Sequence, residues 1–297
     1  MALTKQYLVQ TWNELTFANN FLFVKIMESE PDLCRQLLEM LLHIKIDHLE
    51  KPETEYVLQE GLNTKSVRFD VYTQDDNRIF DLEIQTTKKC DLAKRARYYQ
   101  SIIDMDNLAR GESYMNLKDT YVIFLCLDDI FGRELPVYFF ENSCTENPEL
   151  KLGDGAYKVF FNASGCDKMQ DEEEKSFFKF LGGGKASSDF TRRIENMVNR
   201  AKENEIWRHQ FMTWQQTLDM ERRLVRDETR AEALAEGREA GLDEGRKLGL
   251  AEGRSEGART AALENAAKLL SLGVAAETVA EGCSLPLEQV LQMQKGQ

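Results

Sequence analysis

The sequence predicts an α/β fold with a mostly α-helical C-terminal extension, because the spacing of its apolar residues changes twice. Apolar residues recur at helical spacing over residues 8–44, whereas over 65–86 they alternate with polar residues, as in half-buried strands. The helical spacing returns after the glycines at 182–184. No proline interrupts the chain between Pro148 and Pro286, which permits long helices there.

The elements of the α/β part follow in order along the chain. Pro31 divides the first helical segment into two helices, and residues 45–64 are acidic and irregular. The alternating segment contains the turn residues Gln74-Asp75-Asp76-Asn77, which indicates a two-stranded hairpin. The next predicted elements are a helix and three strands, at residues 91–110, 121–127, 137–140 and 157–161. We therefore expect an α/β core that ends near residue 183.

Composition narrows the classes of function. The chain has 297 residues, 42% of them hydrophobic, which is enough for a sizeable buried core. No apolar run approaches the ~18 residues of a membrane-spanning helix and no signal peptide is visible, so we expect no membrane partner. The six cysteines form no C-x-x-C pair, which favours the reducing cytoplasm. The net charge of −13 disfavours a protein that coats DNA, but it is compatible with a small basic channel beside an acidic site.

Two acidic residues face each other if the hairpin turns at Asp76-Asn77. This register places Asp70 opposite Glu83, with Cβ atoms ~5 Å apart. The same face carries Arg68 opposite Gln85 and Tyr72 opposite Asp81, and the other, core-facing side carries Val67, Phe69, Val71, Phe80, Leu82 and Ile84. Two buried carboxylates repel each other unless a cation lies between them, and Mg²⁺ binds one or two carboxylates together with water and phosphate. A solvent-exposed pair of charged strands is the other interpretation.

A basic segment follows the acidic strand directly. Residues 86–100 contain five lysines and arginines but a single acid, Asp91. The candidate DNA contacts in this segment are Lys88, Lys94, Arg97, Tyr99 and Gln100. A phosphodiester hydrolase needs phosphate contacts beside its metal. The alternative is the solvated face of an ordinary helix.

The C-terminal extension contains a repeat. Glu-Gly-Arg recurs with a period of eight from residue 236, and glycine recurs at every fourth residue from Gly237 to Gly257. Each glycine costs a helix ~1 kcal/mol relative to alanine, so a helix here needs compensation, such as close packing against a partner helix or a second copy of the chain. A solvated linker is the alternative. We divide the extension into a helical part, the glycine-periodic helix or linker, and a small helical segment, at residues 184–226, 227–260 and 261–297.

Several blocks of sequence, in this order, resemble one family. They are Arg68-Phe69-Asp70-Val71-Tyr72, Leu82-Glu83-Ile84-Gln85-Thr86, Arg97-Tyr98-Tyr99-Gln100, Tyr121 to Leu127 and Phe131-Gly132. Together they resemble the Rpn family of recombination-promoting nucleases and transposases, which belongs to the PD-(D/E)xK nuclease superfamily. The resemblance extends to the helix that ends at Met27 and to the Glu-Gly-Arg repeat.

The resemblance implies a PD-(D/E)xK nuclease-like αβββαβ core over residues 1–183. In such a core Asp70 and Glu83 hold Mg²⁺ or another divalent cation, and the backbone carbonyl of Ile84 adds a ligand. Gln85, the third implied catalytic residue, stands where the superfamily motif has lysine; glutamine carries no charge, but it can hydrogen-bond a water or a phosphate oxygen. The family pattern often has aspartate where this chain has Asn20.

Residues and resemblance together favour a cytoplasmic, Mg²⁺-dependent DNA endonuclease that hydrolyses phosphodiester bonds in recombination or transposition. A second hypothesis is a catalytically weak nuclease fold that acts as an interaction module through its helical C-terminal half. Gln85, Asn20 and the acidic net charge favour this second hypothesis. A third is a transposase subunit that needs a partner protein.

Overall fold

The computed structural model describes residues 5–58, 66–88 and 91–295. Its centre is a six-stranded mixed sheet with helices packed on both faces, which confirms the α/β class. The strands are β1 (Glu53–Leu58), β2 (Val67–Gln74), β3 (Arg78–Gln85), β4 (Asp119–Cys126), β5 (Val137–Phe140) and β6 (Ala156–Asn162). The helices are α1 (Lys5–Glu14), α2 (Asn20–Ser29), α3 (Pro31–Leu42), α4 (Leu92–Asp106), α5 (Glu172–Leu181), α6 (Asp189–Glu203), α7 (Glu205–Ser271), α8 (Ala276–Gly282) and α9 (Leu287–Lys295).

The sheet has the strand order β1-β2-β3-β4-β6-β5. Strands β1, β2 and β3 are antiparallel neighbours, β4 runs parallel to β3, β6 runs parallel to β4, and β5 is antiparallel to β6. A parallel step needs a crossover connection, and α4 supplies it between β3 and β4. This connection brings the carboxyl end of β3 and the first turn of α4 together beside β2.

Apolar side chains fill both sides of the sheet. On one side, the packing against α1, α2, α3, α5 and α6 includes the buried residues Trp12, Phe23 and Phe177. On the other side, α4 packs against Phe69 and Phe124. Because both sides are covered, polar side chains that point from β3 towards α4 are buried.

Edge strand β1 is absent from the sequence-based prediction, which treated residues 45–64 as irregular. Every second residue of the strand is half-buried against β2, namely Thr54, Tyr56 and Leu58. The period of two was therefore present, but it was hidden by the acidic residues between and by Pro52. Residues 59–64 of the segment lie outside the described part of the chain.

The first compact unit ends at Thr217, later than the boundary at 183 that the triple glycine suggested. Helix α6 and the start of α7 belong to it because their apolar side chains pack into the core. Ile194 and Phe211 are fully buried there, and Trp214 packs against the same cluster.

The second unit, Leu218–Gln297, contains the rest of α7 with α8 and α9. The glycine repeat is helical, and residues 220–261 are exposed around the whole helix. A small cluster of Leu270, Val279 and Val290 packs the end of α7 against α8 and α9. Among the described residues, none of the helices combines the length and apolar character needed to span a lipid bilayer.

Candidate active site

The hairpin of β2 and β3 has the predicted register where its backbones pair. Val71 lies opposite Leu82, as a turn centred on Asp76-Asn77 requires. Further from the turn than this pair, side chains connect the two strands. The N–H of Asp70 donates to Glu83 Oε1 at 3.0 Å, and the N–H of Ile84 donates to Asp70 Oδ2 at 3.2 Å. Each carboxylate therefore accepts a backbone N–H of the other strand, and the two acidic side chains are brought together.

The predicted division of β2 into one polar and one apolar face is wrong. Val71 packs on the side of α2 and α3, as expected, but Phe69 and Val67 pack on the side of α4. The alternation of side chains between the two faces of the sheet is therefore interrupted at Asp70. On the neighbouring strand, Glu55 has a left-handed φ of 52°, which is uncommon for a residue with a side chain. Strict alternation, on which the prediction rested, does not describe a strand with such a local irregularity.

Two side chains bind the remaining carboxylate oxygens. Asn20 Nδ2 donates to Asp70 Oδ1 at 2.8 Å, and Arg95 Nη2 donates to Glu83 Oε2 at 2.9 Å. Asn20 is the first residue of α2, which begins there because the side chain of Asn19 caps the helix; Arg95 lies in the first turn of α4. All four carboxylate oxygens of the pair accept a hydrogen bond, and elements on both faces of the sheet hold the pair in place.

Burial dominates the electrostatics of the pair. Asp70 is 8% exposed and Glu83 is 3% exposed. Loss of hydration raises the pKa of Glu83 to about 8, and repulsion by Asp70 adds to the effect. Burial also raises the pKa of Asp70, against the hydrogen bonds from Asn20 and Ile84. The charge of Arg95 lowers both pKa values without cancelling the effect of burial. A divalent cation between the carboxylates relieves this cost of ionisation.

Asp81 is a third buried acid on the same strand. It is fully buried, and neither carboxylate oxygen has a hydrogen-bond partner among the described residues. Burial and then repulsion by Glu83 and Asp70 raise its pKa well above the usual value. The described residues contain no group of three or more His, Cys, Asp or Glu side chains placed to hold a metal ion, so Asp81 does not join the pair as a third ligand.

Arg95 is the site residue that the sequence-based selection left out. In addition to its bond with Glu83, it donates from Nη1 to Gln85 Oε1 at 3.2 Å and from Nη2 to Tyr99 Oη at 3.1 Å. Its guanidinium lies 5.3 Å from the ring centroid of Tyr99 and 5.4 Å from that of Phe124. The available signal was its spacing: Arg95 and Tyr99 are four residues apart, so they share one face of a helix that starts just after the acidic strand.

Gln85 lies beside the pair, and its side-chain amide is engaged at both ends. Nε2 donates to the carbonyl oxygen of Thr87 at 2.6 Å and to Thr87 Oγ1 at 3.1 Å, while Oε1 accepts the bond from Arg95. Both N–H groups of the amide are therefore used within the protein. This arrangement makes Gln85 a support for Arg95 rather than a free donor for water or phosphate.

The predicted DNA contacts separate into two groups. The exposed group comprises Lys88, Lys94 and Arg97. Tyr99 is half-buried and its hydroxyl holds Arg95, whereas Gln100 is 6% exposed and donates to Asp104 Oδ1 at 3.2 Å. Gln100 does not fit a contact with DNA at the surface because it is buried, whereas Tyr99 lines an open cavity of the protein.

An open cavity of about 360 Å³ lies beside the site. It is lined by Ser66 and Val67 at the start of β2 and by Asp91, Lys94, Arg95, Tyr98 and Tyr99 of the α4 region. The side chain of Arg95 is 24% exposed. The guanidinium is thus packed against rings on one side and reached from solvent on the other.

The donor set fits a hard divalent cation. Asp70 and Glu83 offer oxygen ligands, and each oxygen that accepts one hydrogen bond keeps a second lone pair. Mg²⁺ binds through one or two carboxylates and keeps several waters, so two carboxylates suffice for it.

A family model described as PD-(D/E)XK nuclease family transposase matches residues 18–234. The chain belongs to this family. The match confirms the resemblance inferred from the motifs and includes Asn20, Asp70, Glu83 and Arg95. It ends before the first Glu-Gly-Arg repeat, so the repeat lies outside the matched region. No match was found among curated proteins or among solved structures.

Membership in the PD-(D/E)XK nuclease family transposases supports a nuclease or transposase role for this chain. Nucleases of this kind generally use divalent metal ions, and DNA is the substrate that the family implies. The paired carboxylates lie within the matched region, in the part of the fold where the sheet and α4 meet.

Proposed function

We propose that this chain is a divalent-metal-dependent DNA endonuclease of the cytoplasm, which hydrolyses phosphodiester bonds in recombination or transposition. The observation that carries the proposal is the reciprocal bonding of Asp70 and Glu83. It keeps two buried carboxylates side by side within the region matched by a nuclease family model. A structural pair of this kind without a cation is costly, which favours a cation as the reason for it.

Asp70 and Glu83 are the residues that would hold the cation, and Mg²⁺ is the ion we expect, with the carbonyl oxygen of Ile84 as a further ligand. When bound, the cation activates a water and neutralises charge that develops on the phosphate. The protein fixes the direction of each carboxylate beforehand. Asn20 orients Asp70, and Arg95 orients Glu83.

The DNA strand reaches the pair across the exposed side of α4. Lys88, Lys94 and Arg97 are exposed there and supply positive charge within a chain that is acidic overall. Such contacts position the phosphate backbone without reading sequence. They also make binding dependent on salt concentration.

A plasmid-cleavage assay with Mg²⁺, Mn²⁺ or EDTA tests the proposal. Wild type is compared with Asp70→Asn, Glu83→Gln and a matched control, Asp76→Asn, whose side chain is exposed in the hairpin turn. We expect cleavage by wild type and by the control in the presence of a divalent ion, and none by the two site variants. Amide variants are preferable to alanine because they keep an acceptor for the strand N–H groups.

The outcomes distinguish the hypotheses. If both site variants cleave as well as wild type, the catalytic site lies elsewhere. If wild type fails to cleave DNA in the presence of either ion but still binds Mn²⁺ by titration calorimetry, the chain is the catalytically weak nuclease fold. Loss of Mn²⁺ binding in Asp70→Asn and Glu83→Gln then still assigns the cation to this pair.

We also propose that the glycine face of α7 packs against a second copy of the chain. Apart from the adjoining residues and the backbone of the same helix turn, no atom of the described residues lies within 4 Å of the position that a Cβ would take at any glycine from Gly237 to Gly257. Six glycines cost a helix roughly 6 kcal/mol relative to alanine, and the described chain provides no contact that offsets this cost. Close approach of a partner backbone is the contact that glycine permits and alanine obstructs.

A further inference from the structure

The site lacks the lysine of the superfamily motif, yet it contains a half-buried cation. Gln85 at the motif position is neutral, whereas Arg95 contacts Gln85 at 3.2 Å and Glu83 at 2.9 Å. A positive group that touches both side chains lies within reach of the place that a lysine at position 85 would fill. The charge thus comes from the following helix instead of from the strand.

We propose that Arg95 binds a phosphodiester oxygen of the DNA strand beside the carboxylate pair and supplies the positive charge that Gln85 lacks. The proposal rests on the proposed nuclease function for its chemical purpose. The phosphate contact itself is measurable without cleavage.

The hydrogen bonds of Arg95 leave room for a phosphate. Glu83, Gln85 and Tyr99 engage three of the five N–H groups of the guanidinium, counted over the described residues. Arginine is suited to phosphate because its remaining N–H groups are fixed in a planar fork. Arg95 lines the open cavity of about 360 Å³ beside α4 together with Lys94 and Asp91, and its side chain is 24% exposed.

The guanidinium is also held in one orientation. The rings of Tyr99 and Phe124 lie against it, and the hydroxyl of Tyr99 is bonded to it. A side chain fixed in this way loses little conformational freedom when it binds a ligand, which favours a positioning role in the reaction.

The formal charges agree with this role. With both carboxylates ionised, the pair and Arg95 together carry one net negative charge. A bound divalent cation changes this to one net positive charge, which matches the single negative charge of a phosphodiester. Without Arg95 this group of charges, with the cation bound, would have no net charge.

Salt-dependent DNA binding tests the contact directly. The affinity for a short fluorescein-labelled duplex is measured by anisotropy over a range of KCl, in EDTA and in Ca²⁺, for wild type, Arg95→Gln, Arg95→Lys and the control Arg110→Gln. Arg110 is exposed and lies outside the site. We expect the slope of log K against log salt to fall by ~0.9 in Arg95→Gln, and to stay unchanged in Arg95→Lys and in the control. An unchanged slope in Arg95→Gln overturns the proposal.

A compensating substitution separates this role from a structural one. Arg95→Gln is expected to lower single-turnover cleavage by on the order of 10²–10³-fold. Adding Gln85→Lys to that variant restores a cation beside Glu83, so about tenfold or more of the loss should return. Gln85→Lys alone places a second cation next to Arg95 and is expected to lower cleavage.

Thermal unfolding of the same variants completes the test. If the double variant regains stability but none of the cleavage, Arg95 only balances the charge of Glu83, and the proposal is overturned. If wild type does not cleave DNA at all, the proposed function fails while the salt slope still decides whether Arg95 contacts phosphate.

Discussion

The β2–β3 hairpin and the glycine segment of α7 both contain residues that their secondary structure tolerates poorly. In the hairpin these include the buried carboxylates of Asp70 and Glu83, and in the helix they are six glycines. The chain itself offsets the cost of the Asp70–Glu83 pair, since each of the four oxygens of this pair accepts a hydrogen bond. The described residues offer nothing comparable to the glycines, which stand in open space.

The paired carboxylates and the repeated glycines therefore have causes in different places. The first unit contains the hydrogen-bond partners of the Asp70–Glu83 pair, so the function of this pair is to be sought inside its fold. The glycine segment contacts no such partners in the described chain. We therefore expect a binding partner of this segment to account for its glycines. Four measurements test this division between the two regions.

The largest effect concerns pH. The unfolded chain releases the Glu83 proton near the ordinary pKa of 4.5, whereas the folded protein retains it to about 8. The stabilisation by this proton is therefore complete below pH 4.5 and is lost as the pH rises to about 8. We expect the free energy of unfolding of the first unit to fall by about 2–4 kcal/mol across this range.

Urea unfolding followed by tryptophan fluorescence measures this effect in the right unit, because the three tryptophans, Trp12, Trp207 and Trp214, all lie before residue 218. Glu83→Gln should reduce the fall with pH, and the raised pKa values of Asp70 and Asp81 account for the pH dependence that remains. A profile that is flat in wild type would show that the pair is ionised at no cost, and the pair would then not differ from the glycine segment of α7 in the way described.

The second effect is an asymmetry between the two carboxylates. In Asp70→Asn the new amide group can donate to Asn20 after Asn20 turns its own amide, so every polar group keeps a partner. In Glu83→Gln the new amide faces either the N–H of Asp70 or Arg95, and a donor loses its acceptor. At pH 7 we expect Asp70→Asn to be as stable as wild type or more so, and Glu83→Gln to be less stable than Asp70→Asn by about 1–3 kcal/mol. Equal stabilities in urea unfolding would contradict the hydrogen-bond arrangement.

The third effect assigns DNA binding to the first unit. Reversing Lys94 and Arg97 to glutamate should weaken binding at least tenfold, roughly 1.4 kcal/mol, and should lower the salt slope by about 1.8. Reversal of Arg246, an arginine of the repeat, serves as the control and should leave both quantities unchanged. If the control loses as much affinity as the double variant, the glycine segment binds DNA and the division between the regions fails.

The smallest effect concerns the glycines themselves. Replacing Gly245 and Gly249 by alanine should stabilise an isolated helix by ~1 kcal/mol each. If the glycine face packs against a second copy, the added methyl groups obstruct the contact, and light scattering should show a lower mass than for wild type. Glu244→Ala, next to the same glycine, is the matched control. An unchanged mass together with higher helicity in circular dichroism would identify the segment as an unpartnered helix.

Features with a regular period were predictable from the sequence. The hairpin register follows from the turn residues, and β5 has the predicted bounds, 137–140. The interruption at Asp70 was not predictable, because it accompanies an irregular residue, Glu55, in a strand that the sequence did not reveal. The alternation of apolar and polar residues describes one strand by itself. The orientation of Asp70 depends also on the strands that lie beside it.

The same limit of a local pattern explains which candidate site residues could be selected from the sequence. Asp70 and Glu83 were selected because their pairing follows from the register. Arg95 was missed because a basic segment does not show which of its cations points towards the sheet, and this depends on how α4 docks. Gln100 was selected in error for the same reason, since its side chain is buried at 6% exposure.

The reciprocal bonds of the hairpin have a consequence for how this protein can change over evolutionary time. Replacing either acid by an apolar residue leaves a strand N–H unpaired in the centre of the sheet, so folding alone selects against the change. A descendant that lost DNA cleavage would therefore retain both acids long afterwards. Persistence of this pair among relatives would measure the demands of the sheet as well as those of catalysis.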